Sequence, residues 1–304
     1  MNAPRPRTGA AARGAHPAAP TAPTAAPVPA GTSVVAEGAV DVLGRVSAAL
    51  DDLPAHRPVA ARVIAQADDH RSDARSLGQT LSYDPALTAK VLRLANSAYF
   101  GLSGRVSAPA FAVTVVGFST VRSLAVAAMA GLEEVPESLG GFWERSVLTA
   151  VTAGEVAGRV GVRAPDAFSL GLLARLGQAL LVRCDPVRYP ELLAAAGDRE
   201  ELLAAEVRRY GSTHTRVSAE ALAAWSFPDE LSAALAQVDA PGWAAPLAVC
   251  VRLGVELSER LLDPGRTPRP AGHLSGGRVD DAELDALRSR VQHVAQDMLR
   301  LLAS

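Results

Sequence analysis

The stretch Asp84-Pro-Ala-Leu-Thr-Ala-Lys-Val-Leu-Arg-Leu-Ala-Asn-Ser-Ala-Tyr-Phe-Gly101 decides how this chain is read. Asp84 has the short acceptor side chain of a helix N-cap, and Pro85 suits the first helical position, where its missing N–H costs nothing. Leu87, Val91, Leu94 and Ala98 recur at helical spacing and make one apolar face. Arg93 lies off that stripe and Lys90 at its edge. Leu92, one turn before Asn96, hints at a second buried face. Asn96 and Ser97 are the informative polar pair. A buried amide has four hydrogen-bonding sites and locks two segments together where helices meet. The other reading is a polar cluster for a ligand or partner. The structural reading is preferred, because buried polar groups are usually satisfied within the protein. Tyr99 and Phe100 read as core rather than as a stacking platform.

Around this stretch the chain has 304 residues, 49% hydrophobic and 20% charged, a composition that supports a sizeable core. The formal net charge of −2 gives no electrostatic reason to expect nucleic-acid binding. Lys90 is the only lysine among 30 basic residues, which reads as a codon effect of a GC-rich genome. Cys184 and Cys250 stand far apart in apolar surroundings and read as buried free thiols. Outside the N-terminal region the longest uncharged run, Val106 to Val121, contains Ser, Pro, Gly and Thr, so no membrane span is expected. The N-terminus carries Arg5, Arg7 and Arg13 but no apolar core of a signal peptide. A cytoplasmic protein is the expectation.

Met1 to Ser33 holds 11 Ala and 7 Pro and no acidic residue, the composition of a tail that does not fold. Val34 to Leu50 shows helical patterning. After the Asp84 helix, Pro109 opens a helix with Phe111, Val115 and Val116; Gly117 breaks it; Ser119 is a candidate cap for the next. The pair invites a helix-turn-helix reading, but beyond Thr120, Arg122 and Ser123 the second helix runs into Ala, Val and Met. A recognition helix needs polar side chains to reach base edges, so this one reads as core. Phe142 to Val160 is helical, with Trp143, Val147, Val151 and Val156 near one face. Pro165 opens a helix with Phe168, Leu172, Leu176 and Leu180 spaced by four. Asp198 and Glu201 form a candidate capping box for a helix ending at Gly211. Ser212 is a candidate cap for the next, which carries Val217, Ala221 and Trp225. Helices at Pro228–Leu235 and Pro246–Leu262 follow, then a Gly/Pro-rich loop over 263–279. Asp280 and Glu283 form a second capping box, and Leu284, Leu287, Val291, Val294, Met298 and Leu301 follow in an a/d stripe. No useful β-alternation appears, so the fold class is all-α.

Several segments, in order, resemble the HDOD family, relatives of the HD-type metal phosphohydrolases in bacterial signalling. The resemblance is carried by Asp84-Pro-Ala-Leu and the run Leu92-Arg-Leu-Ala-Asn-Ser-Ala-Tyr-Phe-Gly101. It continues through Ala112, Gly117, Arg122 and Leu124, then Phe142-Trp143 with Ser146, then Gly171-Leu172-Leu173, and His214, Trp225 and Pro228. It covers roughly residues 43–240. It implies two helical lobes, one around Asn96-Ser97 and one around the HD remnant, to which the C-terminal amphipathic helix is added.

An HD phosphohydrolase needs His and Asp to hold a divalent metal that activates water. Where many relatives continue Gly-Leu-Leu with His-Asp, this chain has Ala174 and Arg175. Alanine has no donor atom, and a guanidinium has no lone pair to offer a metal. Trp143-Glu144-Arg145-Ser146 supplies no His, and Ala236-Gln237-Val238-Asp239 stands where many relatives have His-His. His16, His56, His70, His214, His273 and His293 make no metal-type pair. His214, alone at a helix start, reads as a backbone-bonded residue. The expectation is therefore no catalytic residue, no metal and no cofactor. The family-signature residues Asp84, Asn96, Ser97, Tyr99, Arg175, His214 and Trp225 remain candidates for a ligand or partner site. The resemblance implies a non-enzymatic regulator that binds a signalling protein. The alternatives are a sensor of a small molecule or nucleotide in a pocket near Arg175 and His214, and a weak phosphohydrolase. Nucleic acid and membrane are not expected as partners. The C-terminal stripe is expected to dock on the second lobe, with pairing to a second copy as the alternative.

Overall fold

The computed structural model describes Met1 and residues 44–46, 48, 57–102, 104–132, 135–225, 227–240, 242 and 244–303. The Ala/Pro-rich tail expected over 1–33 and most of the helix expected at 34–50 lie outside them; Gly44–Val46 and Ala48 are helical. No strand occurs among the described residues, and those from Gly44 onward pack as one compact unit. The all-α expectation holds.

The first helices are α1 (Pro58–Asp68), α2 (Ala74–Leu81), α3 (Pro85–Ala95), α4 (Pro109–Val116) and α5 (Phe118–Met129). α2 packs on α4, and α1 on α5. Asp84 caps α3 by accepting the Leu87 N–H at 2.9 Å, with Pro85 at the first position. Leu87, Val91 and Leu94 are buried, as their spacing requires. At Gly117 (φ +83°) α4 and α5 turn through 108°, a backbone state that favours glycine. Gly117 itself is the N-cap of α5; Ser119 instead donates its hydroxyl to Asp166 Oδ1 at 2.5 Å. Thr120 to Ala130 is buried without interruption, so α5 is a core helix and has no face to offer a DNA groove.

The second group begins with α6 (Phe142–Val160) and the expected Pro165 helix, which is two helices: α7 (Ala164–Leu173) and α8 (Leu176–Cys184). A helix absent from the sequence reading follows, α9 (Arg188–Ala195), then α10 (Arg199–Tyr210), α11 (His214–Ala224), α12 (Asp229–Ala236) and α13 (Pro246–Leu262). α6 packs along α7 and α13 and forms the spine of the molecule. Asp198 caps α10 through the Glu201 N–H at 2.8 Å, while Glu201 reaches past it to the Gly197 N–H. The cap is therefore half of the expected box. α11 is capped by Thr213, not Ser212. The run Ala164–Cys184 is long and apolar enough to cross a membrane, but 94% of its most apolar 18-residue stretch is buried inside the protein.

The segment read as a loop over 263–279 contains α14 (Ala271–Ser275). It is tied down by charge. Glu256 accepts from Arg260 Nε at 2.9 Å, Arg269 Nε at 3.0 Å and the Arg269 backbone N–H at 2.9 Å. Arg260 in turn donates to the Arg269 carbonyl at 2.6 Å and to Asp281 Oδ1 at 2.7 Å. Beyond it, the expected C-terminal helix is broken into α15 (Asp281–Asp285) and α16 (Arg288–Ala303). The Asp280/Glu283 box is complete in both directions. Leu284, Val291, Val294 and Met298 are buried within the chain. α16 does not sit on the second lobe alone. It packs on α6 and on α3, where Asp297 Oδ2 accepts the Ala98 N–H at 2.8 Å and Arg290 meets Glu155 at 3.1 Å. The stripe closes the seam between the two helix groups.

Candidate functional site

The sequence-marked residues fall into two places. At the end of α3, Asn96 holds the C-cap position and spends its amide on backbone. Nδ2 donates to the carbonyls of Leu92 (2.9 Å) and Val106 (2.7 Å), and Oδ1 accepts the Val106 N–H at 3.0 Å. This is the structural reading of the residue. Ser97 is fully buried, and its Oγ has no hydrogen-bond partner. Tyr99 stacks on Phe168 at 5.0 Å between ring centroids and meets Phe100 edge-on at 4.9 Å. A Cβ on Gly154 would collide with its hydroxyl, so α6 keeps a glycine there. Burial, with Glu155 nearby, pushes the Tyr99 phenol far above its usual range. Tyr99 thus packs α3's end onto α6 and α7, Asn96 ties that end to Val106, and Asp84 stands apart as the cap at the other end of α3.

The second place is the break between α7 and α8. Gly177 brings α8 so close to the start of α11 that a Cβ would overlap the His214 carbonyl. The Gly177 N–H donates to Ser218 Oγ at 2.7 Å. A straight helix through Ala174 and Arg175 is given up for this contact, and Arg175 becomes the N-cap residue of α8 with φ −98° and ψ 5°. Its side chain turns inward and is 7% exposed.

His214 lies one layer deeper. Its ring Nδ1 sits 2.9 Å from both Glu206 oxygens, and its backbone N–H donates to Oε2 at 2.8 Å. Tyr189 donates its hydroxyl to Oε1 at 2.6 Å. The carboxylate can only accept, so Nδ1 carries the proton; Nε2 is buried without a hydrogen-bond partner. Burial raises the Glu206 carboxyl, but His214 and Tyr189 outweigh it and hold the group below the usual range. Trp225, buried at the C-cap of α11, belongs to the core.

A layer of charge surrounds Arg175 that the sequence reading did not single out. Glu259 on α13 faces Arg175 Nη2 (3.9 Å), Arg199 Nη1 (3.7 Å), Arg266 Nη1 (3.0 Å) and Arg269 Nη2 (3.9 Å). Arg199 is bound more closely by Asp239, to which its Nε and Nη2 donate at 3.0 and 2.7 Å. Thr215 donates to the other Asp239 oxygen at 2.6 Å. Burial would raise the Asp239 carboxyl, but Arg199 outweighs it and holds the group at about 2. Arg175 is lowered to about 10 by burial and by the like charges of Arg199 and Arg145, and is still a cation at neutral pH. The signal in the sequence was the pair Glu256 and Glu259, set with Arg252 and Arg260 in a helix whose other residues are nearly all apolar.

The metal of an HD phosphohydrolase does not fit this place. Arg175 puts a fixed positive charge where the ligand pair would stand, and Ala174 contributes only a backbone carbonyl, which accepts from Ser218 at 3.3 Å. Among the described residues no group of three or more His, Cys, Asp or Glu is arranged to hold a metal ion. Cys184 and Cys250 are buried free thiols.

Fold and motif together define an all-α domain whose signature is a capped helix closed by Asn-Ser. The chain belongs to the HDOD family, whose HDOD domain matches residues 53–241. Among solved structures it is similar to a protein of Shewanella amazonensis SB2B whose name assigns it provisionally to the phosphohydrolases. The two are 25% identical over 87% of this chain and 98% of the other, with a TM-score of 0.68. It shares the fold of a protein of Marinobacter aquaeolei VT8 provisionally named a signal transduction protein (20% identity, 90% and 68% of the chains, TM-score 0.64). It also shares that of an HDOD domain protein of unknown function from Geobacter sulfurreducens (18% identity, 84% and 99%, TM-score 0.58). No curated protein matches it.

Proposed function

We propose that this chain is a non-enzymatic regulator of bacterial signal transduction that acts by binding another protein. Family membership supports the signalling role. The observation that carries the non-enzymatic part is Arg175, a buried guanidinium at the α7–α8 break where metal chemistry would need acceptor ligands. His214, the histidine that matches a family position, gives its Nδ1–H to Glu206, and among the described residues no group of three or more His, Cys, Asp or Glu is arranged with it to hold a metal. The protein-binding part is supported by two large apolar side chains left in solvent on the first helix group, Tyr83 (76% exposed) after α2 and Phe111 (47%) on α4.

The test is capture of partners by the tagged full chain from cells of its source, beside a chain carrying Tyr83→Ser and Phe111→Ser. The proposal expects a protein retained by the first and lost by the second, with both melting alike. Saturable, divalent-metal-dependent hydrolysis of a phosphoester by the purified chain would contradict it.

A further inference from the structure

Beside the α7–α8 break lies a cleft of about 290 Å³, with Arg175, Gln178, Arg199 and Glu259 in its wall and Arg145 and Arg266 nearer its mouth. We propose that this cleft binds a small molecule through an oxyanion group, a phosphate ester or a carboxylate, held by the guanidinium groups of Arg175 and Arg145. The inference deepens the regulatory reading by naming what the module senses, and in that sense rests on it.

Unmade bonds carry the argument. Arg175 Nε and Nη2 are buried and have no hydrogen-bond partner. Together they account for three of the five N–H donors of a guanidinium. Its remaining nitrogen has only a long contact, 3.4 Å to Gln178 Oε1. Its acidic neighbour, Glu259 Oε1, stands at 3.9 Å, beyond hydrogen-bond reach. A buried cation left with open donors is costly, and a planar two-oxygen acceptor seated in the cleft that Arg175 lines would remove that cost.

Charge points the same way. Glu259 is shared among four arginines and neutralises none of them singly. Arg199 is served by Asp239 instead. Arg145, half-buried, makes no ion pair or side-chain hydrogen bond among the described residues, and its charge is felt at Arg175. The acids of the cleft rim do not fill the gap. Asp198 and Asp263 are both exposed, and Asp198 spends Oδ1 on the cap of α10. A cation is excluded by the same count of neighbours. Size agrees: about 290 Å³ is at the small end of ligand sites, which run from roughly 300 to 1,000 Å³, and suits a compact metabolite.

The test is titration of the full chain with inorganic phosphate, pyrophosphate and malonate at constant ionic strength, with chloride as control. It is read by calorimetry and by melting temperature, and repeated with Arg175→Met and Arg145→Met. The proposal expects saturable binding and a rising melting temperature with at least one probe, phosphate types marking a phosphate ester and malonate a carboxylate. Each variant should weaken it tenfold or more. Arg145→Met, half-buried and without a partner to lose, keeps the test valid if Arg175→Met fails to fold. No saturable binding to any probe, or binding that Arg145→Met leaves unchanged, would overturn the proposal and assign the open donors to water. Hydrolysis of pyrophosphate during the titration would instead contradict the non-enzymatic reading, so the two failures are distinct.

Discussion

Asn96 grips Val106 on both sides: it donates to the Val106 carbonyl at 2.7 Å and accepts the Val106 N–H at 3.0 Å. The same amide closes the last turn of α3 on Leu92. The residue that marks the family's motif is thus a clamp between a helix end and the segment leading into α4. Asn96→Ala leaves those backbone groups without partners, and the expected cost is about 1–3 kcal/mol in chemical denaturation. A variant that melts like wild type yet loses a partner would make Asn96 functional instead.

The C-terminal stripe closes the junction of α3 and α6, and the Asp297–Ala98 bond is its polar anchor. Ending the chain at Val279 uncovers apolar surface on both helices and removes Asp281 and Asp285, two of the partners of Arg260. The shortened chain should melt lower, by the same margin at every protein concentration. A wild-type dimer that becomes a well-folded monomer on this truncation would assign the stripe to a second copy.

Gly177→Ala is expected to destabilise despite improving helix propensity. The substitution gains about 1 kcal/mol in an open helix. Here the new Cβ meets the His214 carbonyl and the Ser218 nitrogen, both backbone, so α8 and α11 must part. Overpacking of this kind costs roughly 1–3 kcal/mol or more, and a net fall in melting temperature is the expected reading.

How far the sequence reached is visible in this same region. Caps are local chemistry, and Asp84, Asp198 and Asp280 stand at helix starts as read. Thr213 displaced Ser212 because both hydroxyls suit a cap and the choice is tertiary. The break at Ala174-Arg175 had no local signal: Ala, Arg and Leu all favour helix. It exists because Gly177 and Ser218 pull α8 against α11. Arg175 and His214 were picked out by motif, but the cleft around Arg175 is assembled from α6, α8, α10, α13 and the segment after it. Arg145, Arg199, Glu259 and Arg266 come together only in the fold. The segment over 263–279 read as loop from its Gly and Pro content, and what orders it is Glu256 and Arg260, charges on a neighbouring helix.

The Asp239–Arg199 pair predicts an acid limb to stability. The folded carboxyl titrates at about 2, below its unfolded value near 3.8. A depressed carboxyl contributes fully above its unfolded value and is lost as pH falls through the folded one. Stability worth about 2 kcal/mol should therefore disappear between about pH 4 and pH 2, and Glu206, also depressed, adds in the same direction. Asp239→Asn should flatten that limb. It should also cost roughly 3–5 kcal/mol at neutral pH by leaving Arg199 buried without its carboxylate.

The central claim is that a fixed cation, Arg175, has taken the place of metal-binding chemistry. Elemental analysis of the purified full chain, with a phosphohydrolase assay before and after EDTA, tests it most directly. The account predicts divalent transition metal far below one per chain and no EDTA-sensitive turnover. About one metal per chain, removed by EDTA together with phosphohydrolase activity, would contradict it.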